Sequence, residues 1–274
     1  MVIMRVLGDL LEGSGWTQMI NEAGITTEGR AEALLRGNNV TRCRHAHEVT
    51  AACLYILQQE AYEEYMLDKT SNDQEMMYMM TFEEWKSYKQ KHHPQFCYWD
   101  KVLELELIAL MFVRAVRTSD FKMYTTSLIQ IIPYIFSFDH INYMRWLPVH
   151  IKDMKELSVK QPLVYDEFMK GHFTAKKTLH SFSAIAEDQS HEQNNAKVKG
   201  NGGAVGLTEN EQALRRWMVA GPEVCRVIEE FQGLVNSSKE PTSDSHHSDT
   251  PGKQKRFRSD VENLLTVIRE NGSP

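Results

Sequence analysis

Y-W-D-K-V-L-E-L-E-L-I-A-L-M-F-V-R-A-V-R, residues 98–117, decides the fold class. It runs without Gly or Pro and is apolar on more than one side of a helical wheel. That predicts a helix at the buried centre of the protein. Charges at Asp100, Lys101, Glu104, Glu106, Arg114 and Arg117 interrupt it well short of the roughly 18 uncharged apolar residues of a membrane span, and no other stretch reaches that length. Glu104 and Glu106 point to opposite sides, and a buried carboxylate needs a partner or a raised pKa. Arg114 or Arg117 is the expected partner. A second apolar helix is predicted over 120–136, with Pro133 expected to bend or end it.

Reading outward toward the start, 2–11 places Ile3, Val6, Leu7, Leu10 and Leu11 on one helical face, with Gly13 as a stop. A short helix over 17–23 follows. Thr26 or Thr27 then caps a helix running to Leu35. The segment 41–66 is helical by its spacing of Val49, Cys53, Ile56 and Leu57, and 68–74 reads as a loop. Thr81 and Glu84 form a capping box for a helix that ends before Pro94. Reading toward the end, Leu147-Pro148 and Gln161-Pro162 punctuate short helices. Phe182-Ser183-Ala184-Ile185-Ala186 is the best strand candidate, with a helix over 188–198 after it. A glycine-rich loop, helices through 235 and a final helix complete the chain. The expected fold is mainly α, a multi-helix assembly with at most one or two short strands. Its expected organisation is a helical domain over 1–136, a motif-bearing α(+β) domain over 137–235, a disordered linker over 236–257 and a C-terminal helix over 258–272.

The 274 residues carry 31 Lys+Arg and 37 Asp+Glu, a net charge of 31 − 37 = −6. Such a chain is a poor non-specific nucleic-acid binder overall, although local basic patches remain available. Cys43, Cys53, Cys97 and Cys225 are too few for a disulfide framework and read as reduced thiols of an intracellular protein, nucleus or cytoplasm undetermined. The first residues show no cleavable-signal pattern. A nucleophile elbow, a cysteine-protease signature and a kinase motif are all missing.

Candidate chemistry concentrates in two places. On a helix, Asp188, His191, Glu192 and Asn195 share one face. A carboxylate, an imidazole and an amide together suit a divalent metal or a positioned water. If this cluster is a site, Mg²⁺ or Mn²⁺ is its ion. The plainer reading is an exposed polar face with Asp188 as helix cap. Asp139-His140-Ile141-Asn142-Tyr143-Met144-Arg145-Trp146 is the second place. Asp139 suits a further metal carboxylate and Arg145 a phosphate contact. The alternative is a helix cap beside a buried Arg and Trp. Lys197 and Lys199 flank a glycine-rich loop that fails the Walker pattern. Arg215 and Arg216 add charge to the next helix, and Arg42 and Arg44 make another basic spot. DNA is the partner this basic set suits, set against solvated helix faces and a flexible hairpin.

Several runs carry a resemblance: L-G-D-L-L-E-G-S-G-W (7–16), V-T-R-C-R-H-A-H (40–47), V-L-E-L-E-L (102–107), D-H-I-N-Y-M-R-W-L-P-V-H-I-K-D-M (139–154), F-S-A-I-A-E-D-Q-S-H-E-Q-N-N (182–195) and G-G-A-V-G-L-T-E-N (202–210). They resemble a group of largely uncharacterised, transposon-derived, multi-copy proteins of invertebrate genomes, over nearly the whole chain except the tail linker. Full-length members of that group extend upstream of Met1. By analogy of arrangement with transposases that carry a helical insertion in an RNase H-like core, residues 1–136 would be the insertion and Glu192, or Asp188, the last acid. The earlier acids would lie before Met1. The resemblance thus implies an inactive carboxy-terminal portion of a nucleic-acid-processing protein. A helical interaction or scaffold protein is the rival expectation. A small-molecule metalloenzyme built on Asp188, His191 and Glu192 is a third, and it needs a further ligand.

Overall fold

Gly8 shows how the first layer closes. A β-carbon on it would lie 1.8 Å from the carbonyl oxygen of Leu35, so helix α1 (Val2–Leu11) meets the end of α3 (Glu28–Leu35) backbone to backbone. Ile3, Val6, Leu7 and Leu11 are buried on the inner face of α1, as the spacing predicts. Helix α2 (Trp16–Glu22) connects the two and buries Trp16 and Ile20. In this computed structural model the described residues are 2–37, 40–71, 79–176, 182–188, 190–192, 195, 211–212, 215–216, 218–220 and 251–271.

The central element is α6 (Pro94–Thr118), which buries Val102, Leu103, Leu105, Ile108, Ala109 and Ala115. It begins four residues before the predicted stretch, because Pro94 suits the first turn, where its missing N–H is not needed. Packed on it are α4 (Val40–Ser71), α5 (Phe82–His92) and α7 (Phe121–Ser137), with α8 (Ile141–Lys160) on α7 and α9 (Pro162–Met169) on α8. The Thr81–Glu84 capping box forms as expected. Asp68 and Lys69, expected in a loop, still belong to α4.

The two internal prolines do not break their helices. Pro133 lies inside α7 and Pro148 inside α8, each removing one backbone hydrogen bond. Pro133 is exposed, so water can serve the freed carbonyl. Around Pro148, Leu147 packs against the core and Ile151 is buried, which holds both halves of α8 in line.

A two-stranded antiparallel sheet completes this side. Strand β1 (Thr174–Lys176) pairs with β2 (Ala184–Ala186) in the register Thr174↔Ala186, Ala175↔Ile185 and Lys176↔Ala184. Strand β2 falls within the stretch predicted from sequence and packs on α6. The last helix, α10 (Pro251–Glu270), packs against α4 and α2 and brings Val261, Leu264, Leu265 and Ile268 into the common core. Residues 251–257, expected in the linker, form its first turns, since Pro251 sits where a helix tolerates proline. The rest of that linker, the glycine-rich loop with Lys197 and Lys199, and the helices expected up to 235 beyond residue 220 lie outside the described residues. The fold is mainly α. Among the described residues no helix is long and apolar enough to cross a membrane.

Candidate functional site

Strand β2 leads straight into helical residues 187–188, 190–192 and 195, which present Asp188, His191 and Glu192. All three are exposed. His191 Nε2 lies 3.9 Å from a Glu187 oxygen, with both side chains largely in solvent. Among the described residues no three His, Cys, Asp or Glu side chains are gathered as a metal site. Asp188, His191 and Glu192 therefore share an element without converging.

Asp188 has a neighbour that the sequence did not flag. Tyr124 of α7 has its phenol pKa raised, first by burial and then by the negative charge of Asp188. The Tyr124 hydroxyl lies 3.2 Å from Nε2 of His150 on α8. Burial lowers the His150 pKa, with Asp153 opposing. The Tyr124 phenol thus stands hydrogen-bonded to His150 and within the field of the exposed Asp188 carboxylate.

Asp139 is exposed and adopts the left-handed conformation, φ 50°, in the turn between α7 and α8. The next amide, His140 N–H, donates back to the Ile135 carbonyl at 3.2 Å. Asp139 is thus a helix-terminating residue, a role in which Asp tolerates positive φ. Its neighbour His140 pairs with Asp9 at 3.0 Å. Arg145 and Trp146 are not buried; Trp146 is 71% exposed. This corrects the expectation of a buried Arg–Trp tie.

The basic residues divide. Arg215 pairs with Glu211 at 3.2 Å, and Arg216 Nε donates to the Gln212 carbonyl at 3.3 Å, both on exposed helical residues. Arg42 is exposed, whereas Arg44 contacts Glu48 at 3.2 Å. His45 and His47 face inward: His45 pairs with Asp260 of α10 at 2.8 Å. His47 stacks on Trp16, ring centroids 5.2 Å apart, and Glu106 Oε1 lies 2.8 Å from its Nδ1. Glu106 therefore takes His47, not Arg114 or Arg117, because its face of α6 meets α4. Glu104, on the other face, is exposed and pairs with Lys101 at 2.6 Å.

A family profile matches this chain over residues 1–274. The chain belongs to the family described as a domain of unknown function, DUF8702. No curated protein and no solved structure matches it. The DUF8702 description assigns no chemistry, so the donor set has to be judged by itself. Phosphoryl transfer by two metal ions requires several convergent carboxylates. Asp188 and Glu192 alone do not supply them, and no catalytic step through a metal follows from these residues.

Proposed function

We propose that this chain contributes the helical insertion and the last acid, Glu192, of a transposon-derived, RNase H-like nucleic-acid-processing protein, and that alone it neither cuts nor joins DNA. One observation carries this reading. After a long run of helices, a short strand hands directly to a helical segment that carries Asp188 and an exposed Glu192, the position the last acid takes in that arrangement. Arg145, Arg215 and Arg216 are exposed and suit phosphate contacts. The test is fluorescence anisotropy of a labelled DNA duplex across a salt series. Binding at low salt is expected, weakening with salt and weakening further in Arg215→Ala/Arg216→Ala. The phosphodiester backbone should stay intact in Mn²⁺. Flat anisotropy at the lowest salt overturns the proposal.

A second reading has its own observation. Trp146 is 71% exposed, with Val149 at 49% one turn along α8 and Leu163 at 80% on α9. Isolated large apolar side chains are common on surfaces, but an exposed Trp is the residue type most enriched at interface centres. This favours a helical interaction protein that self-associates and ignores DNA. Flat anisotropy together with concentration-dependent sedimentation selects it.

A further inference from the structure

A cavity of about 220 Å³ lies between α4, α5 and the first turns of α6. Its walls are flat and apolar: Trp85 and Phe96 meet edge to face, centroids 5.4 Å apart, with Trp99 beside them. A dry cavity of about 150 Å³ accommodates a benzene-sized molecule. This one therefore has room for one aromatic ring and a small substituent.

The polar groups around it select the substituent. Asp100 is buried and already held by three donors. Gln58 Nε2 donates to Oδ1 at 2.8 Å, Lys86 Nζ sits 2.8 Å from Oδ1, and Gln90 Nε2 donates to Oδ2 at 2.5 Å. Burial pushes the Asp100 carboxyl up, but Lys86, Gln90 and Gln58 together hold it below the usual carboxylate range. Asp100 is thus a charge-compensated tie between helices, held by three donors. Lys89 is the other charged side chain on the walls, beside the polar side chains of His93 and Gln95. The Trp85 indole N–H is buried without a hydrogen-bond partner, and Trp85 is only 1% exposed. Lys89 lies over the Trp85 ring, 5.8 Å from its centroid, and among the described residues makes no ion pair.

We infer that this cavity is a binding site for a small aromatic carboxylate, its ring between Trp85, Phe96 and Trp99 and its carboxylate toward Lys89. The site is separate from the Asp188–Glu192 segment and holds whether or not the chain binds DNA.

Benzoate is the probe, read by the indole N–H resonances in a ¹H–¹⁵N correlation spectrum, with Trp85 assigned through Trp85→Phe. Benzoate should shift the Trp85 indole resonance saturably. Benzyl alcohol, of similar shape but uncharged, should bind about tenfold more weakly. Ala61→Phe places a ring in the cavity and should abolish the shift while the far-ultraviolet circular dichroism stays unchanged. Should that variant not fold, Lys89→Gln serves instead: it should weaken benzoate and leave benzyl alcohol unaffected. No movement of the Trp85 resonance, equal affinity for the two probes, or an undiminished shift in a folded Ala61→Phe protein overturns the assignment.

Discussion

His47 on α4 and Glu106 on α6 meet at 2.8 Å with both side chains sealed from solvent, and Trp16 of α2 lies flat against the imidazole. Around them Trp16 Nε1 donates to Thr50 Oγ1 at 2.8 Å, and the Thr50 hydroxyl donates to the Ala46 carbonyl at 2.9 Å. Three helices are thereby tied through one polar knot. Burial by itself pushes the His47 pKa down. The Glu106 carboxylate and the neighbouring Cys43 outweigh this and lift it to about 10. Burial pushes the Glu106 pKa up against the pull of His47. Both shifts say that the folded pair holds its shared proton more tightly than the unfolded chain does.

Stability should therefore fall with rising pH. An unfolded His47 releases its proton near 6.5, whereas the folded one keeps it to about 10. The contribution is complete below about pH 6.5, erodes above it by at most about 1.4 kcal/mol per pH unit, and is gone once pH passes the folded value. Urea unfolding at a series of pH values across that window measures it. Glu106→Gln should flatten the slope, because the imidazole then has no counter-charge. At neutral pH the variant should lose about 3–5 kcal/mol, as expected when one partner of a buried pair is removed. An unchanged slope in that variant would falsify the ion-pair account.

Gly8→Ala tests the closest backbone approach in the core. A methyl group there would meet the Leu35 carbonyl oxygen at 1.8 Å and its carbonyl carbon at 2.7 Å. Neither atom is the end of a flexible side chain, so α1 or α3 has to move. A loss of about 1–3 kcal/mol or more is expected by chemical denaturation. That outweighs the gain of up to about 1 kcal/mol that Ala brings to a helix interior. A neutral or stabilising substitution would mean that the two helices do not touch at this point.

The sequence announced what is local and concealed what is long-range. Gly13 and the Thr81–Glu84 box mark helix ends through backbone chemistry that acts within four residues, whereas Thr27 stands at the N-cap of α3 without a side-chain capping bond. Pro133 and Pro148 mislead because their cost is local, while the packing that outweighs it, Leu147 and Ile151 against neighbouring helices, comes from elsewhere in the chain. The partner of Glu106 lies 59 residues away, and nothing near Glu106 distinguishes His47 from Arg114. The strand before Asp188 was legible in Phe182–Ala186. Its partner β1 was not, since three residues carry too little pattern. Tyr124 could not be placed beside Asp188, 64 residues further on, because the two meet only once the chain has folded.

Leu264→Ala asks whether α10 is part of the core or an appendage. Leu264 is 1% exposed, and its helix is tied at its middle by His45–Asp260 at 2.8 Å and near its C-terminal end by Arg269–Glu60 at 2.6 Å. Those ion pairs are partly solvated and contribute little singly. The apolar face dominates, so truncating Leu264 should cost about 2–5 kcal/mol. Unfolding followed by tryptophan fluorescence and by far-ultraviolet circular dichroism should shift by the same amount, because α10 packs on the helix that carries Trp16 and shares its core. A shift in one probe alone would show that α10 unfolds separately.

Trp146→Ala separates surface from core on α8. The side chain is 71% exposed, so its removal leaves no cavity and stability should stay within about 0.5 kcal/mol. The contrast is Ile151, 7% exposed on the same helix, where Ile→Ala should cost about 2–5 kcal/mol. If the Trp146 face joins two copies of the chain, sedimentation velocity at high concentration should show association that Trp146→Ala abolishes while the monomer keeps its melting temperature. A chain that sediments as a monomer at every concentration removes the self-association reading, and a Trp146→Ala variant that melts early removes the assignment of this side chain to solvent.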